Sequence, residues 1–348
     1  MSTARTAGAW LEGREEGEAR RARAPMPRPL RAVAIGGGTG LSTVLQGLRR
    51  IRGRLGHAVS LEITAIVATG DDGGSSGRIR RAYGVLPPGD LRRCLVALAE
   101  EEPHPMARLF QYRFASGREL GGHAVGNLLL AALAQMEGDF VAAIRHAERI
   151  LGCVGKILPA TLEPIELVGV YDDGVRVVGQ HRFKERRGSR LRRVEVLPRA
   201  PAPAPGVLEA ICAADVVVLG PGSLYSSVIA NLLVDGVAEA LRGHGGCRIL
   251  VQNLACQPGE SGGMTAAEHV EAVLSHAGEV VDVLLLDPGP GRRSHNGEDR
   301  VRCDRKDVLS LGVVPVEAEL LASPEGLAHD PEKTALAIVA LAMSAMEA

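Results

Sequence analysis

Aromatic residues are scarce: one Trp, four Tyr and four Phe in 348 residues. A slot for a large flat ring system would have to be walled by aliphatic side chains. Neither sign of charge dominates. Forty Lys and Arg against 41 Asp and Glu leave a net charge of −1, which removes the electrostatic footprint of a nucleic-acid binder. No run of about 18 apolar residues is present, and the N-terminus lacks the apolar centre of a secretory signal. No membrane insertion is expected, and the reading is cytoplasmic. The six cysteines, Cys94, Cys153, Cys212, Cys247, Cys256 and Cys303, are scattered without a CxxC pair. That excludes a disulfide framework and a zinc site.

What is present is an ordinary globular composition, 46% apolar and 23% charged, long enough for one large core or two modest ones. Residues 1–30 are rich in Arg, Ala, Glu and Gly and end in Pro25-Met26-Pro27-Arg28-Pro29. They read as a disordered leader; Met26 stands just before the first strand and is an alternative start. From Arg31 short apolar runs alternate with helical periodicity, the pattern of a parallel sheet covered by helices. Strands are expected at Ala32–Ile35, Leu61–Ala68, Asp215–Leu219, Arg248–Gln252 and Val280–Leu286. Helices are expected at Leu41–Arg49, at Leu91–Ala99 capped by Asp90, from Gly122 through Ala134, and from Leu224 through Leu233. Ile165–Val178 alternates around Asp172-Asp173-Gly174 and reads as a hairpin. Residues 199–205 form a Pro-rich connector. The fold class is therefore α/β, a Rossmann-like doubly wound, mostly parallel sheet. Residues 31–348 form one domain, with a helical and β accessory insertion at about 136–205.

Three loops carry chemistry. The first, Gly36-Gly37-Gly38-Thr39-Gly40, lies between a strand and an amphipathic helix. There glycines permit close approach of a phosphate, and helix N–H groups point at it. The second follows strand two: Asp71-Asp72-Gly73-Gly74-Ser75-Ser76-Gly77-Arg78. Its adjacent carboxylates are candidates for Mg²⁺ or ribose hydroxyls, and Ser75 and Ser76 for phosphate. The third, Gly220-Pro221-Gly222-Ser223, repeats the logic of the first, with Ser223 as helix cap and phosphate donor. Two such loops imply a ligand with more than one anionic group, such as a nucleoside diphosphate. His123 and Asn127, at i and i+4 of one expected helix, face the same way; Asn127 joins the candidate binding residues, while His123 alone reads as a packing residue. A nicotinamide dehydrogenase is disfavoured. The third glycine of GxGxxG is replaced by Leu41, and the first pair of acids after strand two, Asp71-Asp72, falls more than 30 residues past Gly36 instead of the about 20 at which ribose would need an acid. A Walker lysine is missing too.

Taken together, the segments GGGTGLSTVLQGLR from Gly36, DDGGSSGRIR from Asp71, PPGDLRRCLVAL from Pro87, LFQYRF from Leu109, GGHAVGNLLLAAL from Gly121, GKILPATLE from Gly155, ADVVVLGPGSLYSSVIANLLVDG from Ala214 and QNLACQPGESGGMTAAEHV from Gln252 resemble the gluconeogenesis factor family of the YvcK type. That family is itself related to the 2-phospholactate transferase CofD of deazaflavin-coenzyme synthesis. The resemblance covers about residues 32–345. It implies a CofD-like fold and binding of UDP-sugars such as UDP-N-acetylglucosamine. It also implies a regulator of cell shape and wall metabolism on gluconeogenic carbon sources that acts through an unidentified protein partner, with no required cofactor. The alternative it carries is a phospho-acyl transferase acting on a deazaflavin, with Asp71 or Asp72 holding Mg²⁺. Met264 stands where relatives usually have an aromatic residue. The apolar face of Thr334–Met343 reads first as packing against its own sheet and otherwise as the surface of a homodimer.

Overall fold

The computed structural model describes residues 28–54, 60–100, 104–186, 188–289, 300–323 and 326–347. Of the expected leader, residues 1–27 lie outside this description.

Seven parallel strands form the main sheet: β1 (Leu30–Gly36), β2 (Leu61–Val67), β3 (Lys156–Pro159), β7 (Val216–Leu219), β8 (Cys247–Val251), β9 (Val283–Leu286) and β10 (Val314–Glu317). Their order is β10-β9-β8-β7-β1-β2-β3, with Ala34 opposite both Ala65 and Val218. The chain builds outward from β1 through β2 to β3, then returns to the other side of β1 and builds outward again. The order therefore reverses between β1 and β7, and an open sheet of this kind places ligands beyond the carboxyl ends of its strands there.

Alternation along each strand feeds two cores. Val33, Ile35, Ile66, Val217 and Leu219 belong to one apolar cluster; Ala32, Ala34, Ala65, Val67, Val216 and Val218 belong to the other. A strand buried on both faces needs apolar residues at every position, which is why AVAI and VVVL are unbroken runs. Helices α1 (Gly38–Arg52) and α3 (Pro88–Leu98) cover one face, with α2 (Gly74–Tyr83), α4 (Pro105–Gln111), α5 (Val125–Glu137) and α6 (Phe140–Leu151) arrayed beside them. α1 buries Leu41, Val44, Leu45, Leu48 and Ile51, an inward stripe of helical period. Its last turn carries Arg49, Arg50 and Arg52, which complement the carbonyl end of the dipole.

A separate antiparallel sheet, β5-β4-β6, comprises β4 (Glu166–Tyr171), β5 (Arg176–Val178) and β6 (Leu191–Leu197). The hairpin expected around Asp172-Asp173-Gly174 joins β4 to β5, with Gly174 at φ +79°. Of the stretch 136–205, α6 and β3 serve the main core and main sheet, so the separate layer is the narrower Glu166–Leu197. Its apolar side, Leu167, Phe183, Leu191, Val194 and Val196, merges with the cluster on the second face of the main sheet. That face is completed by α7 (Val207–Ala213), α8 (Val237–Arg242), α9 (Ala266–Ala277) and α10 (Arg305–Ser310). The C-terminal helix α11 (Pro331–Glu347) buries Thr334, Ala335, Ala337, Ile338, Val339 and Ala342 and packs on α1. Among the described residues, no helix is long and apolar enough to cross a membrane.

Three local expectations are corrected. Asp90 does not cap α3: the helix starts two residues earlier at Pro88, which suits a first turn because it lacks an N–H to satisfy. α5 starts at Val125, not at Gly122, whose φ of +77° is outside helical space. Ser223 precedes a π-helical turn, Leu224–Ile229, and its side chain makes no capping bond.

Candidate functional site

Gly36 ends β1 and its carbonyl is fully engaged: it accepts from Ala68 N at 2.8 Å and from Asn231 Nδ2 at 3.1 Å. The chain then turns through Gly37 and Gly38, the latter at φ +65° with open space around its missing Cβ. Thr39 is exposed, and its carbonyl accepts from Ser42 Oγ at 2.8 Å and Thr43 Oγ1 at 2.9 Å. Gly40 is glycine for a different reason. A Cβ there would lie 2.2 Å from the carbonyl oxygen of Pro221, so the first and third loops are in direct contact. The third loop follows β7, the neighbour of β1. Gly222 donates its N–H to Asn253 Oδ1 at 2.9 Å and accepts from Asn253 Nδ2 at 2.7 Å. Asn253 thus clamps the turn from both sides, which removes the Gly222 amide from the donors open to a phosphate. The structure brings Gly36–Gly40 and Gly220–Ser223 together at the reversal point of the sheet.

The second loop enters the same area with its two acids in different roles. Asp71 Oδ1 accepts from Gly73 N and from Gln180 Nε2, each at 3.0 Å. Asp72 spends both oxygens on His181, accepting from its backbone N at 3.0 Å and lying 2.8 Å from its Nδ1. Both partners come from the turn after β5, so the small sheet is fastened over this loop. The carboxylate that stands at the first glycine loop is Asp90, the residue expected as a helix cap. A Cβ on Gly37 would lie 2.6 Å from Asp90 Oδ2, the Gly38 amide hydrogen-bonds the carboxyl, and Arg93 Nη1 donates to Oδ1 at 2.5 Å. Burial raises the Asp90 pKa above the usual carboxylate range; Arg93 pulls it back, and the charge of Asp71 adds to the rise. A negative charge at a helix N-terminus is favourable, and here the protein supplies one of its own. The PPGD run offered no way to tell this role from a cap, because both put an acid beside a helix start.

Ser75 and Asn127 do meet, in a buried chain of polar side chains. Asn127 Nδ2 donates to Ser75 Oγ at 3.0 Å, Ser75 Oγ lies 3.0 Å from His123 Nδ1, and Arg92 Nε donates to Asn127 Oδ1 at 2.9 Å. Burial lowers Arg92 to about 10 and, with Arg78 and Arg113, also lowers His123. His123 precedes α5, so its meeting with Asn127 comes through Ser75 and not through a shared helix face. Ser76 is buried beside Gly89, where a Cβ would come within 2.3 Å of its Oγ. Among the described residues no group of three His, Cys, Asp or Glu side chains is placed to hold a metal.

Beyond the π-helical turn lies a cavity of about 490 Å³. Tyr225, Met264 and Leu191 give it an apolar wall, and Arg190, Arg192 and Glu268 a charged rim. Burial pushes the Tyr225 hydroxyl up to about 12, so it is a neutral donor. Met264 lines this wall with a flexible thioether where a ring would be rigid.

The sequence profile described as 2-phospho-L-lactate transferase CofD matches residues 32–321. The chain is 39% identical over 315 residues to the gluconeogenesis factor of Halalkalibacterium halodurans, covering 88% of this chain and 95% of that one. A Nostoc relative is 40% identical over 317 residues, which are 87% of this chain but 66% of the relative's length. A crystal structure of a Bacillus halodurans protein superposes with a TM-score of 0.83 at 38% identity, over 90% of this chain and 100% of that one. With the switch-point glycine loops and the profile match in agreement, the chain belongs to the CofD family, within its gluconeogenesis-factor branch.

Proposed function

We propose that this protein is a cytoplasmic nucleotide-sugar sensor, one that binds UDP-N-acetylglucosamine or a close UDP-sugar and passes the bound state to a protein partner governing cell shape and wall synthesis during gluconeogenic growth. The observation that carries this is the contact between Gly40 and Pro221. It closes two glycine turns into one cradle at the carboxyl ends of β1 and β7, where a diphosphate suits both. The base and sugar are carried by the family resemblance. The cavity by Tyr225, at about 490 Å³, is of the size of small-molecule sites.

Magnesium fits this reading through a different acid pair from the one the sequence suggested. Asp72 is committed to His181, whereas Asp71 stands close enough to Asp90 for its charge to add to the rise in the Asp90 pKa. Mg²⁺ is commonly held by one or two carboxylates together with substrate phosphates, and Asp71 with Asp90 would supply that pair and offset the repulsion between Asp90 and a bound diphosphate. The same pair favours a second reading, a phospho-acyl transferase, since a metal there would stabilise charge on a leaving phosphate.

Calorimetric titration with UDP-N-acetylglucosamine, UDP-glucose, GDP and NAD, with and without Mg²⁺, tests both. UDP-sugar binding that Gly38→Asp and Asp71→Ala abolish, without turnover on long incubation, is expected. GDP binding tighter than any UDP-sugar, or UDP-sugars silent at millimolar concentration, would remove the sensor reading and put the transferase first.

A further inference from the structure

Beneath the Gly220–Ser223 loop is a small chamber lined by Gly222, Gln252, Asn253 and His269 on its polar side and by Leu224 and Val251 among its apolar walls. Its space for water centres is about 10 Å³, which is the room a single water needs. His269 is 2% exposed and comes from α9. Its Nδ1 lies 2.8 Å from the carbonyl oxygen of Thr265. A carbonyl only accepts, so Nδ1 carries the proton and Nε2 presents a bare lone pair. Among the described residues nothing reaches that Nε2.

Gln252, 5% exposed, shows the same surplus. Its backbone N donates to Leu285 O at 2.9 Å, its carbonyl accepts from His329 Nε2 at 3.1 Å, and its Nε2 donates to Asn253 O at 3.3 Å. Among the described residues, its Oε1 alone has no partner. His269 and Gln252 line the same water-sized chamber, and an occupant with two donors would satisfy both acceptors. Leaving a buried polar atom without a hydrogen bond is unfavourable, so both atoms favour the same answer.

We propose that His269 is a positioning residue for the third loop: with Gln252 it holds one buried water, and that water ties α9 to Gln252, which in turn bonds the carbonyl of the Asn253 that clamps Gly222. α9 also supplies Glu268, Glu271 and Ala272 to the larger cavity. Anything in that cavity that moves α9 therefore moves the loop as well. The effect on ligand affinity rests on the phosphate reading of the loop; the effect on the loop itself does not.

The test compares the full chain with His269→Gln, which keeps an acceptor near the Nε2 position, and His269→Leu, which keeps the bulk without one. Hydrogen exchange at the amides of Gly220, Gly222 and Ser223 is expected to match wild type in His269→Gln and to be roughly tenfold faster in His269→Leu. A high-resolution crystal structure of the wild type should show one water within about 3.2 Å of both acceptors. Should His269→Leu fail to fold, that structure decides alone. Wild-type exchange in His269→Leu, equal losses in both variants, or a dry chamber would overturn the proposal. UDP is titrated into the same proteins: if it binds none while the exchange pattern holds, the phosphate reading falls and the role of His269 stands.

Discussion

Asp90 concentrates the chemistry of the site in one side chain. Its carboxyl is buried against Gly37, bonded by the Gly38 amide and paired with Arg93, so it occupies the helix N-terminus that a phosphate would seek. Its pKa is raised by burial, which makes the folded protein hold this proton more tightly than the unfolded chain does. A raised acid contributes most stability when protonated and loses it as pH climbs from the unfolded value through the folded one. Asp90→Asn fixes the neutral form. The variant is therefore expected to match wild type in melting temperature in acid and to exceed it as pH rises toward neutral, while losing Mg²⁺-dependent nucleotide affinity. Paired thermal scans and titrations check this. A variant less stable than wild type at neutral pH would show that the Arg93 and Gly38 bonds outweigh burial.

At the scale of elements, the contact between loops is enforced by glycine positions that look alike in sequence. Gly40 faces Pro221 O and Gly47 faces Pro331 O, where added Cβ atoms would lie at 2.2 and 1.9 Å. Neither neighbour is a flexible side-chain tip. Gly40→Ala must push the third loop away, and Gly47→Ala must push α11 off α1; each is expected to cost about 1–3 kcal/mol as overpacking. They differ in consequence. Only Gly40→Ala should weaken nucleotide binding beyond its effect on denaturant midpoint, a comparison that equal losses of affinity would defeat.

The central strands β1, β2, β7, β8 and β9 were legible because burial on both faces demands runs such as AVAI and VVVL. The edge strands β3 and β10 were not, since four residues containing Pro159 or Pro315 give neither an apolar run nor a clear alternation. The π-helical turn at Leu224–Ile229 was hidden as well, for its apolar pattern is that of an ordinary helix. The glycine loops could be read from order alone, strand then glycines then helix. Asn253, Asp90 and His269 could not, because their roles come from partners 31, 53 and 17 residues away along the chain or from a space no sequence spacing encodes.

For the molecule as a whole, the pairing of β1 with β7 matters most, because it joins the two outward-built halves and carries the cradle at its carboxyl end. The amino end of the same pair is held by Asp215, which accepts from the Arg31 amide at 2.8 Å and from Arg28 at 2.8 and 2.6 Å. This two-pronged pairing is the strong form of a charged hydrogen bond, and it lies at the far end of four-residue β7 from Gly220. Burial alone would raise the Asp215 pKa, yet Arg28 and the Arg31 amide hold it below the usual aspartate value. For a depressed acid the stabilisation is present above the unfolded pKa and is lost as pH falls through the folded one. Arg28→Ala is thus expected to lower the melting temperature at neutral pH, with the difference from wild type shrinking steadily below about pH 4, the unfolded aspartate value. Because the latch and the cradle share one strand pair, the same variant should also weaken UDP-sugar binding at neutral pH though Arg28 is at the opposite end of the sheet. A pH-independent loss of stability would mean that Arg28 acts through packing and not through its bond to Asp215. Loss of stability without loss of affinity would mean that the two ends of the β1–β7 junction are mechanically independent.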